Sequence, residues 1–118
     1  MKKQTPDTNP MLDLFPNRPV ILDGGMGREL QFRGVALSRR IWSAGGLIEA
    51  KDLVREIHED YIRAGADIIT TNSYGLIRTD LARAGMENRF ETLNTLAGRL
   101  ARQACDITDR TVLVAGSL

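Results

Sequence analysis

Three short segments carry the residue types from which a binding site can be built: Asp23-Gly24-Gly25-Met26-Gly27, Thr71-Asn72-Ser73 and Gly116-Ser117. Asp23 offers an anion to an ammonium group. Glycines at 24, 25 and 27 let backbone N–H groups approach a ligand closely. A helix beginning over 26–30 would add an N-terminus that favours a carboxylate or phosphate. A carboxylate acceptor beside backbone donors suits a zwitterionic amino acid. The same residues also admit a plainer reading, in which Asp23 caps the following turn and the glycines permit a tight bend. The spacing does not fit a dinucleotide fingerprint, because Leu30 stands at the third glycine position, and no Gly-Lys-Ser/Thr follows to make a phosphate-binding loop.

Each segment follows an apolar run, and these runs must position it. Residues 20–22, 66–71 and 111–115 read as buried strands, continuous rather than alternating in hydrophobicity. Between them the periodicity is helical. A short helix is expected over 28–33, ended by Gly34. From Leu47 a longer one carries Ala50, Leu53, Val54, Ile57, Tyr61 and Ala64 on one stripe, with Lys51, Asp52, Arg55, Glu56 and Glu59 opposite and Gly65 as the stop. Helices over 78–84 and 88–105 follow, the second with Phe90, Leu93, Leu96, Ala97, Leu100, Ala101 and Ala104 on one face. The alternation of strand and helix implies an α/β fold with a parallel sheet, in which ligands gather at the carboxyl ends of the strands. If the three strands are neighbours, the three segments face one pocket. All four prolines fall at or before residue 19, so residues 1–18 read as an irregular leader, with a helical turn possible over 11–15, and 19–118 as the folded part.

Composition narrows the class. With 16 Lys+Arg against 15 Asp+Glu, there is no field to attract nucleic acid or an anionic membrane. No apolar run of about 18 residues exists, so no membrane span is expected. The first ten residues lack the apolar stretch of a secretory signal, so a cytoplasmic location is expected. Cys105 is the sole cysteine, which excludes an internal disulfide and cannot by itself build a zinc site. It reads as a buried, inert thiol. His58, the sole histidine, lies mid-helix and reads as a packing or hydrogen-bonding residue. Tyr61 reads as a core residue with its hydroxyl at the surface, and Tyr74 as a neighbour of the pocket. The pairs Arg39-Arg40 and Arg99 with Arg102 read as solvated faces.

Taken together, VILDGGMGREL at 20–30, WSA at 42–44, IHEDY at 57–61, AGADIITTNSY at 64–74 and VAGS at 114–117 resemble the amino-terminal third of the homocysteine S-methyltransferase family. The resemblance covers residues 19–118. It implies the first three βα units of a (β/α)8 barrel, incomplete in this chain, that binds homocysteine. It also implies a zinc ion, held by three cysteines, that takes the homocysteine sulfur as thiolate for attack on the methyl group of a cationic donor. S-methylmethionine or S-adenosylmethionine is the expected donor, and methionine the product. By the same resemblance Asp23, Gly24, Gly25, Met26 and Gly27 belong to the substrate-binding segment, with Asp23 binding the homocysteine ammonium and backbone N–H groups near Gly25 to Arg28 its carboxylate. Trp42 matches an aromatic that contacts the methyl donor in some members, and Thr71, Asn72 and Ser73 line the same pocket. Arg28 stands where the family often has Thr, and is expected to face solvent.

The family's zinc cysteines fall in its later part and match no position of this chain. A barrel of this type needs eight strands and roughly 250 residues. The sequence therefore reads as an amino-terminal fragment, inactive as a methyltransferase alone, whose partners would be homocysteine, a methyl donor and a missing carboxy-terminal portion. The alternative is a non-catalytic α/β module that binds an amino acid or a partner protein. Whether the chain is itself an enzyme stays open at this level.

Overall fold

The computed structural model describes residues 10–117. In chain order they form α1 (Pro10–Leu14), α2 (Met26–Phe32), a 3-10 turn over Trp42–Gly45, α3 (Gly46–Glu49), α4 (Lys51–Arg63), β1 (Ile68–Thr70), α5 (Arg78–Arg83), a second 3-10 turn over Glu87–Arg89, α6 (Phe90–Cys105) and β2 (Leu113–Ala115). Residues 1–9, half of the expected leader, and Leu118 lie outside the described residues. Within the leader, residues 10–14 are helical, one residue ahead of the helical turn allowed over 11–15, and Phe15 is buried with the Arg18 guanidinium over its ring.

Strands β1 and β2 pair in parallel, Ile68 with Leu113, Ile69 with Val114 and Thr70 with Ala115. The first expected strand is reduced to a single parallel bridge, Leu22 to Ile68. Its ladder is short because one end is taken over by a side chain: the Ile21 N–H donates to Asp67 Oδ2 at 2.9 Å. Ile21 and Leu22 were expected to be buried, yet both are at least half exposed, because the described residues place no strand on their outer side. The three segments are nonetheless neighbours, in the order 20–23, β1, β2, as the clustering of their carboxyl ends requires.

Helices cover one face of this sheet. Ile69 and Val112 point into a cluster with Ile62 of α4, Ala101 and Ala104 of α6, and Ala66 just before β1. A larger cluster joins Leu30 of α2, Val54 and Ile57 of α4, Leu81 of α5 and Leu93 and Ala97 of α6. The other face carries Leu22, Ile68 and Leu113 in register; Ile68 is buried and Leu113 half-buried, but Leu22 is 64% exposed, so this face is only partly covered.

The helical stripes match the sequence with local shifts. The helix expected from Leu47 breaks at Ala50 (φ −155°), which separates α3 from α4. Gly46 lies so close to Leu30 that a Cβ would meet its Cδ1 at 2.7 Å. Keeping α3 on Leu30 while α4 runs along α6 requires that change of direction. On α4 the buried row includes His58 and Ile62, whereas Ala64 is exposed. α2 starts at Met26, two residues before the expected helix. Gly34, Gly65 and Gly85 all take positive φ just after helices, the left-handed conformation that glycine adopts cheaply.

Asp67 joins the amino ends of the sheet. Its buried carboxylate receives two Arg18 guanidinium nitrogens at 2.7 Å each and the Ile21 amide, with Arg110 at 3.7 Å. Arg110 in turn donates to the carbonyls of Ala66 and Ile62. The hydrogen bonds from Arg18 hold the Asp67 carboxyl down to about 2, from an ordinary 3.8. Its stabilising contribution is therefore complete above pH 3.8 and is lost as pH falls through about 2. Asp67→Asn should melt below the parent chain at neutral pH, and the gap should shrink on acidification in that window. A gap independent of pH would mean that packing, not charge, is what the carboxylate contributes.

His58 behaves differently. It is fully buried, and neither ring nitrogen has a hydrogen-bond partner among the described residues. Burial pushes its pKa below the ordinary 6.5, against an opposing pull from the Asp23 charge. The folded state thus holds it neutral, and stability should fall as pH drops below 6.5, where the unfolded chain takes up the proton more readily. His58→Leu should flatten the melting temperature between about pH 7.5 and pH 5. An unchanged slope in that variant would assign the acid sensitivity to another group.

Candidate functional site

Asp23 stands at the carboxyl end of the bridged segment, beside the end of β1. Its backbone N–H donates to the Ile68 carbonyl at 3.0 Å. Its Oδ2 accepts the Thr70 N–H at 2.8 Å and its Oδ1 the Thr70 hydroxyl at 3.1 Å. Two carboxylate oxygens offer about four acceptor positions, so acceptor capacity remains. No cation pairs with Asp23 among the described residues. It is a positioned anion without a counter-ion.

The chain then turns through Gly24 into α2, whose cap residue Gly25 provides no side-chain acceptor for the first-turn N–H groups. Those groups have no intrahelical acceptor either. Gly24 is required by packing, since a Cβ there would meet the Tyr61 hydroxyl at 2.8 Å. Tyr61 donates from that hydroxyl to the Gly25 carbonyl at 3.1 Å and so fixes the turn. Burial, followed by the charges of Glu29 and Asp23, raises the Tyr61 pKa and keeps the phenol a donor. Arg28 faces outward, over the Phe32 ring.

The ends of β1 and β2 are knotted together. Thr71 and Ser73 share a hydroxyl contact of 2.7 Å. Ser73 Oγ donates to the Ser117 carbonyl at 3.2 Å, and the Ser117 N–H donates to Thr71 Oγ1 at 3.2 Å. The structure therefore brings Asp23, Thr71, Ser73 and Ser117 to one end of the sheet. Asn72 points elsewhere. It is buried, and its Nδ2 donates to the Ser43 carbonyl at 2.8 Å while its Oδ1 has no partner.

That bond is half of a clamp on Trp42. Gly75 packs so tightly on the preceding residue that a Cβ would overlap the Ile41 carbonyl oxygen. Asn72 and Gly75 thus grip the chain on both sides of Trp42, whose φ of 52° is a left-handed conformation rare for a bulky side chain. Trp42 is 58% exposed and Tyr74 is 65% exposed. With Gly75, Ile77 and Asp80 they line a recess of about 300 Å³. Large aromatics held open to solvent by a strained, doubly gripped turn mark a binding surface better than a packing defect.

Sequence reading missed Thr70, Ser43, Gly75 and the Asp67 cluster. Thr70 and Gly75 adjoin the polar segment at 71–73 and were visible as its flanks. The Ser43 carbonyl and the Arg18–Asp67 pair, 49 residues apart, leave no local signal. No group of three His, Cys, Asp or Glu able to hold a metal exists among the described residues. Cys105 is half-buried on α6, with its Sγ–H on the Ala101 carbonyl and its pKa raised by burial. No helix among them is long and apolar enough to cross a membrane.

Comparison with known proteins agrees with this arrangement. A homocysteine S-methyltransferase of Escherichia coli is 37% identical over 118 residues, taking in 93% of this chain and 38% of that relative. A selenocysteine methyltransferase of Astragalus bisulcatus is 37% identical over 91 residues, 76% of this chain and 27% of its own length. Among solved structures, the metallated form of the homocysteine methyltransferase MmuM of Escherichia coli superposes with a TM-score of 0.82 at 36% identity, over 93% of this chain and 41% of that one. The chain thus spans about two fifths or less of these relatives, and over that span it shares their mixed α/β fold with its small parallel sheet. The family model for homocysteine S-methyltransferases matches residues 20–118, and the chain belongs to that family.

Proposed function

We propose that this chain forms the first three βα units of a (β/α)8 barrel and the homocysteine-binding part of a cytoplasmic methyltransferase that makes methionine. The methyl group would come from S-methylmethionine or S-adenosylmethionine. The observation that carries this reading is Asp23, a carboxylate oriented by Thr70 at the end of a parallel sheet and left without a counter-ion. An ammonium group satisfies its free acceptor positions and its charge. The first-turn amides of α2, next along the chain, suit the carboxylate of the same amino acid. Thr71, Ser73 and Ser117 hold the adjoining strand ends in place.

Trp42 and Tyr74 suit the second substrate. A sulfonium carries its positive charge on a group with apolar methyls, and an aromatic face attracts it electrostatically while shedding little water. Holding the two substrates in one cleft converts methyl transfer into a reaction between neighbours. Zinc is expected for the family, but the described residues provide no donor set for it, so no step through a metal is assigned to them.

Titration of the chain with L-homocysteine, followed by calorimetry, tests the binding site. Asp23→Asn should weaken binding by about tenfold or more, the scale of one charge-assisted hydrogen bond. The analogue 4-mercaptobutanoate, which lacks the ammonium, should lose a similar factor on the parent chain and almost nothing further on the variant. Equal affinities for parent and variant would remove Asp23 from the site.

A second test addresses the clamp. Gly75→Ala should lower stability by roughly 1–3 kcal/mol through overpacking and shift the emission of Trp42, the only tryptophan. Gly98→Ala, on α6 with nothing within 4 Å of its Cβ position, should do neither. Unaltered emission in Gly75→Ala would mean that the contact with Ile41 does not set the Trp42 conformation.

A further inference from the structure

A second recess meets the aromatic one at Trp42. It measures about 460 Å³ and is lined by Arg39, Arg40, Trp42, Asp80 and Arg83, so the two share Trp42 and Asp80. Composition placed Arg39 and Arg40 on a solvated face, but the fold gathers three guanidiniums around one carboxylate. Arg40 is tethered across the recess through one guanidinium nitrogen on the Arg83 carbonyl. Arg83 and Asp80 stand 3.7 Å apart on one exposed turn of α5, a pair worth little in water. Arg39 has neither a hydrogen bond nor an ion pair among the described residues. The recess therefore keeps a surplus of positive charge and unused planar donors, directly beside the aromatic surface.

We propose that this recess is the subsite for the amino-acid end of the methyl donor. Arg39, Arg40 and Arg83 receive its α-carboxylate and Asp80 its α-ammonium, while the sulfonium lies against Trp42. The proposal rests on the methyltransferase reading and sharpens it. Guanidinium forks match a carboxylate in shape and charge. Asp80 is the element of discrimination: a donor with a carboxylate and an onium centre but no α-ammonium satisfies the arginines and leaves the Asp80 carboxylate with only its exposed Arg83 neighbour. The recess thus selects sulfonium amino acids over simple sulfonium or quaternary ammonium acids. S-methylmethionine and S-adenosylmethionine share the recognised end.

Trp42 emission in the full chain reports on the subsite directly. Titrations would use S-methylmethionine, S-adenosylmethionine, dimethylsulfoniopropionate and methionine, with homocysteine binding measured by calorimetry on the same samples. The expected result is a response to both sulfonium amino acids, and a response to dimethylsulfoniopropionate about tenfold weaker. Arg39→Gln combined with Arg83→Gln should weaken S-methylmethionine by about tenfold or more and leave homocysteine affinity unchanged. Asp80→Asn should close the gap between S-methylmethionine and dimethylsulfoniopropionate. Arg39→Gln alone removes a side chain with no hydrogen bond or ion pair among the described residues, so its smaller loss is read without concern for folding. The proposal is overturned if S-methylmethionine binds parent and Arg39/Arg83 variants equally, or if the parent chain gives no response to it while still binding homocysteine. A chain that responds to S-methylmethionine through these arginines but does not bind homocysteine at Asp23 would sink the homocysteine site and leave this subsite standing.

Discussion

Two aspartates, one on each side of the single parallel bridge between Leu22 and Ile68, hold this structure in register. At the amino end Asp67, on the β1 side, accepts the Ile21 N–H of the neighbouring segment at 2.9 Å. At the carboxyl end Asp23, on the neighbouring segment, accepts the Thr70 N–H of β1 at 2.8 Å. Each carboxylate replaces a carbonyl that a longer ladder would supply. The pairing can therefore be as short as one bridge and still have one register, where a bare pairing of that length would slip. Any slip would move Asp23 off Thr70, and with it the carboxylate proposed to bind the ligand.

The two carboxylates differ in compensation, and that difference separates structure from function. Asp67 is almost wholly buried and is satisfied by Arg18 in a two-pronged pair, by Ile21 and by Arg110 nearby. A buried carboxylate without such partners would be strongly unfavourable. Asp23 is half-buried and has hydrogen bonds that orient it, but no cation among the described residues. The orientation comes from neutral donors, so the charge remains free to attract a ligand. A guanidinium at that place would have neutralised the site before substrate arrived.

The strand and helix order, the glycine stops and the apolar faces of α4 and α6 were legible because they repeat at a local period. Gly34 and Gly65 end their helices where the sequence placed stops. The first strand was legible as an apolar run but not as a mere bridge, because its hydrogen bonding depends on Asp67, 46 residues away. For the same reason the segment 71–73 could be placed at a strand end, yet the turning of Asn72 toward Ser43 could not. Trp42 stood out as an aromatic in an irregular stretch. Its strained backbone is a tertiary effect of Gly75 against Ile41 and has no signature in residue type. Arg39 and Arg40 illustrate the limit most clearly: next to each other in sequence they look like a solvated pair, and only the approach of α5 makes them the wall of a recess.

The partly covered face of the sheet bears on the strength of the proposed site. Leu22, Ile68 and Leu113 lie side by side, and Thr70 follows Ile68 on the same face. The Asp23 carboxylate reaches the Thr70 hydroxyl at the edge of that row. With Leu22 open to water, the contact between Asp23 and an ammonium forms in a high dielectric, where a unit charge pair at 4 Å is worth only about 1 kcal/mol. On the barrel reading the same row would lie inside, out of water. Burial there would stabilise the fold through apolar contact and, in the same step, strengthen every charged contact at the strand ends. Packing beneath the site and affinity within it are then one variable. On the proposed reading, the pocket would hold homocysteine firmly only to the degree that the three-residue row below it is dry.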